Sequence, residues 1–352
     1  MSLLTALGPL AGLLDGVRVI DLTRNLPGPF ATRMLADLGA EVIKVEPPEG
    51  DPARPLAPLF EALNHGKDCR TIDFRQSADL DRLREWVSQA DVMIDSFRPG
   101  ILASMGLGHE RLSALNPRLL MVSITGYGQQ GPWAQRAGHD LNFMAMSGVL
   151  DQMRSPLTGE LALSNVQWGD MAAGSSMACI AALAGLLDVR RRERGRHIDV
   201  SMTHGLHAHL LMPQATGSLM APLLGHWPGA GEDLLSGVLP CYNLYRTQDD
   251  RTLAVGALEF KFWKLACEAF ERPDWVGQHW QRGQMPHSPE SRALREAVAA
   301  LVASRPLADW VARFDAVDAC VTPVLTLQEA QAHPLFASQG PQPWTEVAPH
   351  SI

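Results

Sequence analysis

The chain has 352 residues, of which 46% are hydrophobic and 19% are charged, a composition typical of a well-packed globular protein. Its formal net charge of -8 argues against general nucleic acid binding, so we expect no nucleic acid partner. Because this length exceeds what one small core holds, we expect one large domain and a second, smaller one.

The five cysteines are scattered and form no C-x-x-C pair, which indicates reduced thiols and no metal site. The apolar start, residues 1–16, has no basic segment and no cleavage site, so we interpret it as a docking segment and not as a signal peptide. No uninterrupted apolar run reaches the length of a membrane span. We therefore predict a cytoplasmic protein with no membrane partner.

The first part of the chain alternates strands with helices. Apolar, β-branched runs predict buried strands at 17–22, 41–46, 91–97, 118–128 and 197–202. Helical spacing predicts helices at 29–40, 78–90 and 170–197. This order predicts a Rossmann-like α/β domain, in which a parallel sheet carries helices on both faces.

The second part predicts a different architecture. Residues 206–235 are rich in Gly, Pro, Leu and Met without a clean period, which indicates a linker. A strand, a turn and a strand follow at 242–259, and helical spacing returns at 261–270 and 292–316. We therefore expect a smaller α+β domain here, followed by a closing segment, 318–334, with a strand and a short helix.

Two features imitate phosphate-binding sites. The strand, turn, helix and strand that end at Glu46 have the order of a nicotinamide-binding unit. The turn, TRNLPGPF, lacks G-x-G-x-x-G, and its prolines remove N–H groups that a pyrophosphate would need, so we expect no dinucleotide there. We interpret the basic cluster Arg190–Arg196 as complementing the carboxyl end of a helix dipole rather than as a phosphate site.

His139 and Asp140 are neighbours in a run that is otherwise small and apolar, RAGHDLNFMAMSGVL at 136–150. Burying an imidazole and a carboxylate costs desolvation energy, so a packed core gives little reason to keep the pair. The pair is therefore a candidate functional site. The alternative is a core histidine that bonds to a backbone carbonyl.

Several stretches, in order from about residue 15 to about residue 335, resemble the superfamily of family III CoA-transferases and α-methylacyl-CoA racemases. They are GVRVIDLTRNLPGPFATRMLADLGAEVIKVEPP, NHGKDCRTIDFR, DSFRPG, SITGYGQQGPW, AGHDLNFMAMSGVL and DACVTPVLTLQEAQAHP. The resemblance implies an interlocked homodimer and an acyl-CoA thioester as substrate, with no separate cofactor. It also implies an active site between the large domain of one subunit and the small domain of the other.

The resemblance gives the domains their expected roles. These are a large CoA-binding domain at 1–205, a linker at 206–235, a small domain at 236–320 and a C-terminal segment at 321–352 that returns to the large domain.

The resemblance also implies three catalytic residues. The AGHD motif of the racemase branch is intact and ends in His139 and Asp140, and the aspartate of the second motif, QWGDMAAG, is Asp170. A glutamate in a GA-x-E stretch of the small domain corresponds to Glu259. Inverting a carbon next to a thioester requires an acid/base group on each side, which His139 and Asp170 would supply, with Glu259 supporting the histidine. We expect Asp170 at the N-cap of the long helix, whose N–H groups would receive the enolate oxygen.

The resemblance implies a CoA and substrate surface in two parts of the large domain. Its predicted residues are Lys67, Ile72, Asp73, Phe74, Arg75, Arg98, Gly138, Asp140, Leu141, Asn142 and Phe143. Two positions depart from the racemase pattern: Pro47 and His65 stand where an arginine is common.

The leading hypothesis is therefore a racemase, or epimerase, of 2-methylacyl-CoA thioesters in lipid metabolism. The alternative enzyme is a CoA-transferase that uses Asp170 as a nucleophile and forms an acyl-aspartyl intermediate. A third hypothesis, supported by Pro47 and His65, is a CoA-thioester-binding protein without turnover.

Overall fold

The computed structural model describes residues 12–155 and 158–337. The chain divides into two compact units, each treated separately below. The large unit contains 12–149 and 164–210, and the small unit contains 150–155, 158–163 and 211–337. Residues 1–11, which make up most of the predicted docking segment, and the end of the chain from 338 lie outside the described residues.

The large unit is built on a sheet of six parallel strands. In chain order they are β1 (Arg18–Leu22), β2 (Glu41–Glu46), β3 (Asp68–Thr71), β4 (Val92–Asp95), β5 (Leu120–Thr125) and β6 (Arg196–Ser201). Their spatial order is β3-β2-β1-β4-β5-β6 and every neighbouring pair is parallel, which confirms the predicted α/β class. The strand β3, DCRT, has no apolar pattern and was not predicted. In such a sheet the strand order reverses between β1 and β4, and a ligand crevice forms outside their carboxyl ends.

Helices pack against both faces of this sheet. In chain order they are α1 (Pro27–Asp37), α2 (Ala57–Asn64), α3 (Ser77–Ser88), α4 (Ile101–Ser104), α5 (His109–Leu115), α6 (Asp140–Ser147), α7 (Met177–Arg192) and α8 (Met202–Ala208). Successive strand residues point to opposite faces. Thus Ile20 and Leu22 of β1 lie in one core with α3, α4 and α5, whereas Asp21 faces α1 and bonds to Thr32. The helices α1 and α7 contact each other and the sheet on that second side.

The small unit is an α+β unit with its own core. Its antiparallel sheet, in the order β7-β8-β9, consists of β7 (Tyr242–Arg246), β8 (Thr252–Gly256) and β9 (Val321–Pro323). Its helices are α9 (Leu211–Leu224), α10 (Phe260–Ala269), α11 (Pro289–Val302), α12 (Leu307–Phe314), α13 (Leu327–Ala332) and α14 (Pro334–Ala337). Large rings fill the core: Phe270 lies 5.4 Å from Trp310 and 5.1 Å from Phe314 between ring centroids.

Some elements differ from the predicted ones. The predicted linker contains helix α9, whose sequence has no clean apolar period, although it continues as a helix through Pro222. The predicted helix at 292–316 is two helices, because Pro306 interrupts it as the N-cap of α12. The predicted returning segment begins with β9, which pairs with β8, so 321–323 belong to the small sheet.

One helical stretch, Gly169–Arg192, is long and apolar enough to cross a membrane by length and composition alone. Half of its most apolar window is buried inside the structure. The cytoplasmic location stays a prediction.

Candidate active site

A cleft of about 650 Å³ lies at the carboxyl ends of β1, β4 and β5, where the sheet topology places a crevice. Its walls are the loops that follow these strands, the segment that leads into α6, and Asp170. His139 and Asp170, both predicted to be catalytic, line this one cleft. The structure therefore brings residues of the AGHD and QWGD motifs together in one cleft, while their catalytic roles stay a prediction.

His139 is exposed at the N-cap of α6. The side-chain oxygen of Asn142 accepts the His139 backbone N–H at 3.0 Å and so fixes the start of the helix. Just before His139, the backbone at Gly138 lies close to two aromatic side chains. A Cβ atom at this position would lie 2.6 Å from the Phe143 ring and 2.9 Å from Tyr127 Oη, so the packing requires glycine. The imidazole thus projects from a firmly packed helix N-terminus into the cleft.

Asp170 lies inside the first turn of a helical segment and not at its N-cap, which is Trp168. The expected capping role is therefore wrong. Its backbone N–H donates instead to Asp140 Oδ1 at 2.9 Å. Gly169 makes this contact possible, because a Cβ atom there would lie 2.8 Å from the same oxygen. Asp140, predicted as a substrate-binding residue, therefore holds Asp170 in place.

The segment that carries Asp170, Gly169–Ser176, is a π-helix that continues into α7. Ser175 Oγ contacts both the carbonyl oxygen of Asp170, at 2.8 Å, and that of Pro27, at 2.7 Å. Small side chains let this segment approach α1, α6 and α8 closely. Helical turns of this wide kind are frequent at functional sites, where they turn a side chain away from the regular helical direction.

The carboxyl group of Asp170 has a pKa raised to about 6. Burial is the largest cause, because it disfavours the charged form, and the negative charge of Asp140 raises the pKa further. The nearby charge of His139 acts in the opposite direction. Asp170 is therefore poised to exchange a proton near neutral pH.

The N–H groups that we predicted to receive an enolate oxygen already donate hydrogen bonds within the protein. The N–H group of Asp170 donates to Asp140, and that of Met171 donates to the carbonyl oxygen of Gln167 at 2.9 Å. Because both N–H groups already have internal acceptors, they are not free to receive an enolate oxygen.

Glu259, the third predicted catalytic residue, lies in the small unit. It is exposed and occupies the N-cap of α10. Its predicted partnership with His139 stays a prediction.

Lys67 was predicted to bind CoA, and its position argues against this. Its side chain is 0% exposed, and Nζ bonds to Asp21 Oδ2 at 3.1 Å. Nζ also donates to Thr32 Oγ1 at 2.8 Å, to Pro29 O at 2.8 Å and to Asn64 Oδ1 at 3.0 Å. An ammonium group with four internal acceptors has no donor left for a phosphate, so Lys67 is an internal cation of the large unit.

The other residues of the predicted CoA surface on this side of the unit differ in exposure. Ile72 is 0% exposed and packs in the core beneath the sheet, so its side chain cannot contact a ligand. Phe74 is half-buried and meets the edge of Phe97 at 5.8 Å between ring centroids. Arg75 is exposed, and two carboxylates already engage its guanidinium group: Asp73 at 2.8 Å and Glu49 at 3.4 Å.

Four residues of the predicted substrate surface line the cleft, namely Arg98, Gly138, Asn142 and Phe143, and Leu141 is exposed next to them in the chain. Their role in binding stays a prediction. Two cleft arginines, Arg24 and Arg136, were not predicted.

The guanidinium carbon of Arg24 lies 5.3 Å from the Phe97 ring centroid, and that of Arg136 lies 5.1 Å from the Trp133 centroid. The rule that ligands bind beyond the carboxyl ends of parallel strands would have pointed to Arg24, which follows β1. Together with Arg98, these residues give the cleft of an acidic protein a local positive charge suited to an anionic ligand.

In the strand, turn, helix and strand that imitate a nicotinamide-binding unit, the carboxylate of the final residue, Glu46, is already hydrogen-bonded. Glu46 forms a bidentate pair with Arg54 at 2.7 and 2.8 Å and also accepts the Asp51 N–H at 2.9 Å. Within the described ranges, no group of three or more His, Cys, Asp or Glu side chains is arranged to hold a metal ion.

Comparison with known proteins identifies relatives over nearly the whole chain. The sequence model described as CoA-transferase family III matches residues 14–344. The chain is 32% identical over 326 residues to alpha-methylacyl-CoA racemase of Homo sapiens, which covers 91% of this chain and 80% of that protein. It is 31% identical over 341 residues to acetyl-CoA:oxalate CoA-transferase of Acetobacter aceti, which covers 93% of this chain and 85% of that protein.

Solved structures agree with these relatives. The crystal structure of Rv3272 from Mycobacterium tuberculosis matches with a TM-score of 0.77 at 30% identity, over 93% of this chain and 86% of that one. A CAIB/BAIF family protein from Brucella suis matches with a TM-score of 0.76 at 29% identity, over 94% and 88%. The chain therefore belongs to CoA-transferase family III, an enzyme family that contains both racemases and CoA-transferases acting on CoA thioesters.

Proposed function

We propose that the protein is a racemase of 2-methylacyl-CoA thioesters. It removes the α-proton from one face of the substrate and returns a proton to the other. One observation carries the proposal: His139 and Asp170, an exposed imidazole and a half-buried carboxyl group, line a single cleft.

The chemistry needs two groups of this kind. When a base removes the α-proton, charge moves onto the thioester oxygen, and a second, protonated group must deliver a proton to the opposite face. The best bases for this have a pKa near the working pH, as an imidazole does and as Asp170 does with a pKa of about 6. In each direction one group begins as the base and the other as the acid, so a full turnover reverses their protonation states.

Asp140 links the segment that carries His139 to the segment that carries Asp170. Asp140 follows His139 directly in the chain, and its Oδ1 accepts the Asp170 backbone N–H. This hydrogen bond therefore joins the two helical segments that carry the acid/base groups, and proton transfer to opposite faces of one carbon depends on such positioning. Glu259 completes the proposal as the group that orients the His139 imidazole.

The relatives also support a second candidate function. A transferase of this family is as similar to the chain as the racemases are. In that reaction Asp170 would attack the thioester carbonyl, CoA would leave as a thiolate, and an acyl-aspartyl anhydride would form. His139 has no necessary part in that step, which is why its position in the cleft favours the racemase.

The proposal is tested by incubating the protein with each enantiomer of a 2-methylacyl-CoA in deuterated water and following the α-proton by NMR. We expect exchange with inversion in the wild type. His139→Ala should lower exchange from one enantiomer by about 10²- to 10⁴-fold, the usual contribution of an acid/base group. His209→Ala, an exposed histidine that bonds to its own helix at Gly205 O, is the matched control.

Hydroxylamine separates the two reactions. Added during turnover, it would attack the carbonyl of an acyl-aspartyl anhydride, release the acyl group as its acid and leave a hydroxamate on the peptide that contains Asp170, if this residue were a nucleophile. We expect no adduct in the wild type, and none in Asp170→Asn. An adduct in the wild type, detected by mass spectrometry, would exclude the racemase and establish the transferase.

A further inference from the structure

Glu259 begins helix α10 without using its carboxylate as a cap. The first turn of a helix leaves N–H groups that need acceptors, and the side chain of the N-cap residue usually supplies one. Glu259 has the extended backbone of an N-cap, with φ -86° and ψ 145°, yet its side chain makes no cap hydrogen bond. Its carbonyl oxygen accepts the N–H groups of Phe262 and Trp263 at 3.0 and 3.1 Å.

An acceptor from another segment replaces the missing cap. The first N–H group of the helix, that of Phe260, donates to Gln281 Oε1 at 2.8 Å. This side chain comes from the short helical turn Trp280–Arg282, well separated from α10 in the chain.

The same turn holds the residues on both sides of Glu259. Trp280 Nε1–H donates to the carbonyl oxygen of Leu258 at 2.8 Å, and the Arg282 guanidinium carbon lies 4.1 Å from the Phe260 ring centroid. The buried ring of His279 anchors the turn, because its Nδ1 accepts the Gln281 N–H at 3.2 Å. The backbone at Glu259 is therefore fixed on each side while its carboxylate stays exposed.

We infer that Gln281 is a positioning residue: its amide oxygen caps Phe260 and thereby leaves the Glu259 carboxylate free to act on its catalytic partner. A carboxylate at an N-cap gains from charge-assisted hydrogen bonds to helix N–H groups and from the helix dipole. Without Gln281, the Glu259 carboxylate turns back onto the first turn of α10. This inference rests on the proposed role of Glu259 beside His139.

The test compares two substitutions at one position. Gln281→Met has a similar length but no acceptor, and we expect kcat to fall by on the order of 10²-fold with KM unchanged, because a misplaced group costs rate and not binding. Gln281→Glu keeps an acceptor oxygen and should restore most of kcat. Gln278→Met, in the same loop, is the matched control, because this amide donates to Asp274 O in its own turn, at 3.4 Å.

Two further measurements make the result decisive. In a Glu259→Gln background, Gln281→Met should have no additional effect on kcat, since both changes act through one carboxylate. A crystal structure of Gln281→Met should show the Glu259 carboxylate bonded to N–H groups of α10, whatever the activity. Wild-type kcat in Gln281→Met together with an unmoved carboxylate overturns the inference and leaves the proposed function intact. Wild-type kcat in Glu259→Gln removes Glu259 from the mechanism and overturns the inference with it.

Discussion

Asp140 and Asp170 lie side by side, and their carboxyl groups serve different purposes. Asp140 uses Oδ1 to accept a backbone N–H, whereas the Asp170 carboxyl group lines the cleft, where burial and the charge of Asp140 raise its pKa to about 6. One residue thus both holds the other in position and tunes its basicity. The motif places the two aspartates in the sequence, but only their contact distinguishes their roles.

The first prediction concerns Asp140→Asn. The amide oxygen still accepts the Asp170 N–H, but the negative charge is lost, so the pKa of Asp170 falls. Asp170 acts as a base only when it is ionised. For the enantiomer whose α-proton Asp170 removes, kcat/KM of the wild type should therefore rise with pH through about 6. In the variant this acidic limb should move to lower pH by roughly one unit or less, because burial remains the larger cause.

The measurement is kcat/KM against pH for each enantiomer. Only the direction that uses Asp170 as the base should respond on its acidic limb. An unmoved limb, or a limb moved to higher pH, would mean that the charge of Asp140 does not act on Asp170.

At the scale of the elements, one buried side chain, Lys67, bonds to three of them. Its ammonium group bonds to Asp21 in β1, to Thr32 in α1 and to Asn64 in α2. Burial raises the pKa of Asp21, but the charges of Lys67 and Lys44 outweigh this and hold it at about 2. The carboxylate therefore stays ionised in the interior because cations surround it.

The second prediction is that Lys67→Met destabilises the protein by about 3 to 5 kcal/mol, since it leaves a buried carboxylate with one counter-charge fewer. Adding Asp21→Asn should recover part of this loss, because the uncompensated charge is then removed as well. Lys264→Met is the control: its ion pair with Glu268, at 3.9 Å, is exposed and contributes under about 1 kcal/mol. Urea denaturation measures all three free energies of unfolding. If Lys67→Met lost no more stability than Lys264→Met, the cluster would have no structural role.

At the scale of the whole molecule, large apolar side chains lie on the surface of each unit. Ile180 and Leu187 on α7 are 56% and 70% exposed, and Leu219 and Leu223 on α9 are 66% and 67% exposed. Exposed apolar side chains that share a helix become candidates for burial against another protein where they form a continuous patch. A second copy of the same chain fits the homodimer that we predict from the sequence.

The third prediction is an obligate homodimer. The resemblance to the family implies that Glu259 of one chain acts together with His139 and Asp170 of another, so we expect the complete site to need two chains. Analytical ultracentrifugation of active protein should show one species of twice the chain mass of 38.3 kDa. Dilution to a monomer should abolish racemisation, and an active monomer would contradict the prediction.

The sequence by itself determined the alternation of strands and helices, because buried parallel strands need apolar runs and helices need their 3.6-residue spacing. It also determined the candidate His139, because an imidazole beside a carboxylate in a small, apolar run is a pattern that packing alone does not require, whereas Asp170 became a candidate only through the resemblance to the family. From the sequence we did not predict β3, and we predicted a linker where α9 lies, since neither element has a regular apolar period.

Only the tertiary structure decided which charges are available to a ligand. A lysine is usually exposed, yet the fold buries the Lys67 ammonium group among four acceptors. The topology of the sheet, in turn, brings Arg24, Arg98 and Arg136 into the cleft from separate loops. It likewise decided that Gln281 caps the helix of Glu259. Burial and hydrogen bonding between distant segments are properties of the folded chain, because they depend on which backbones approach each other and not on local spacing.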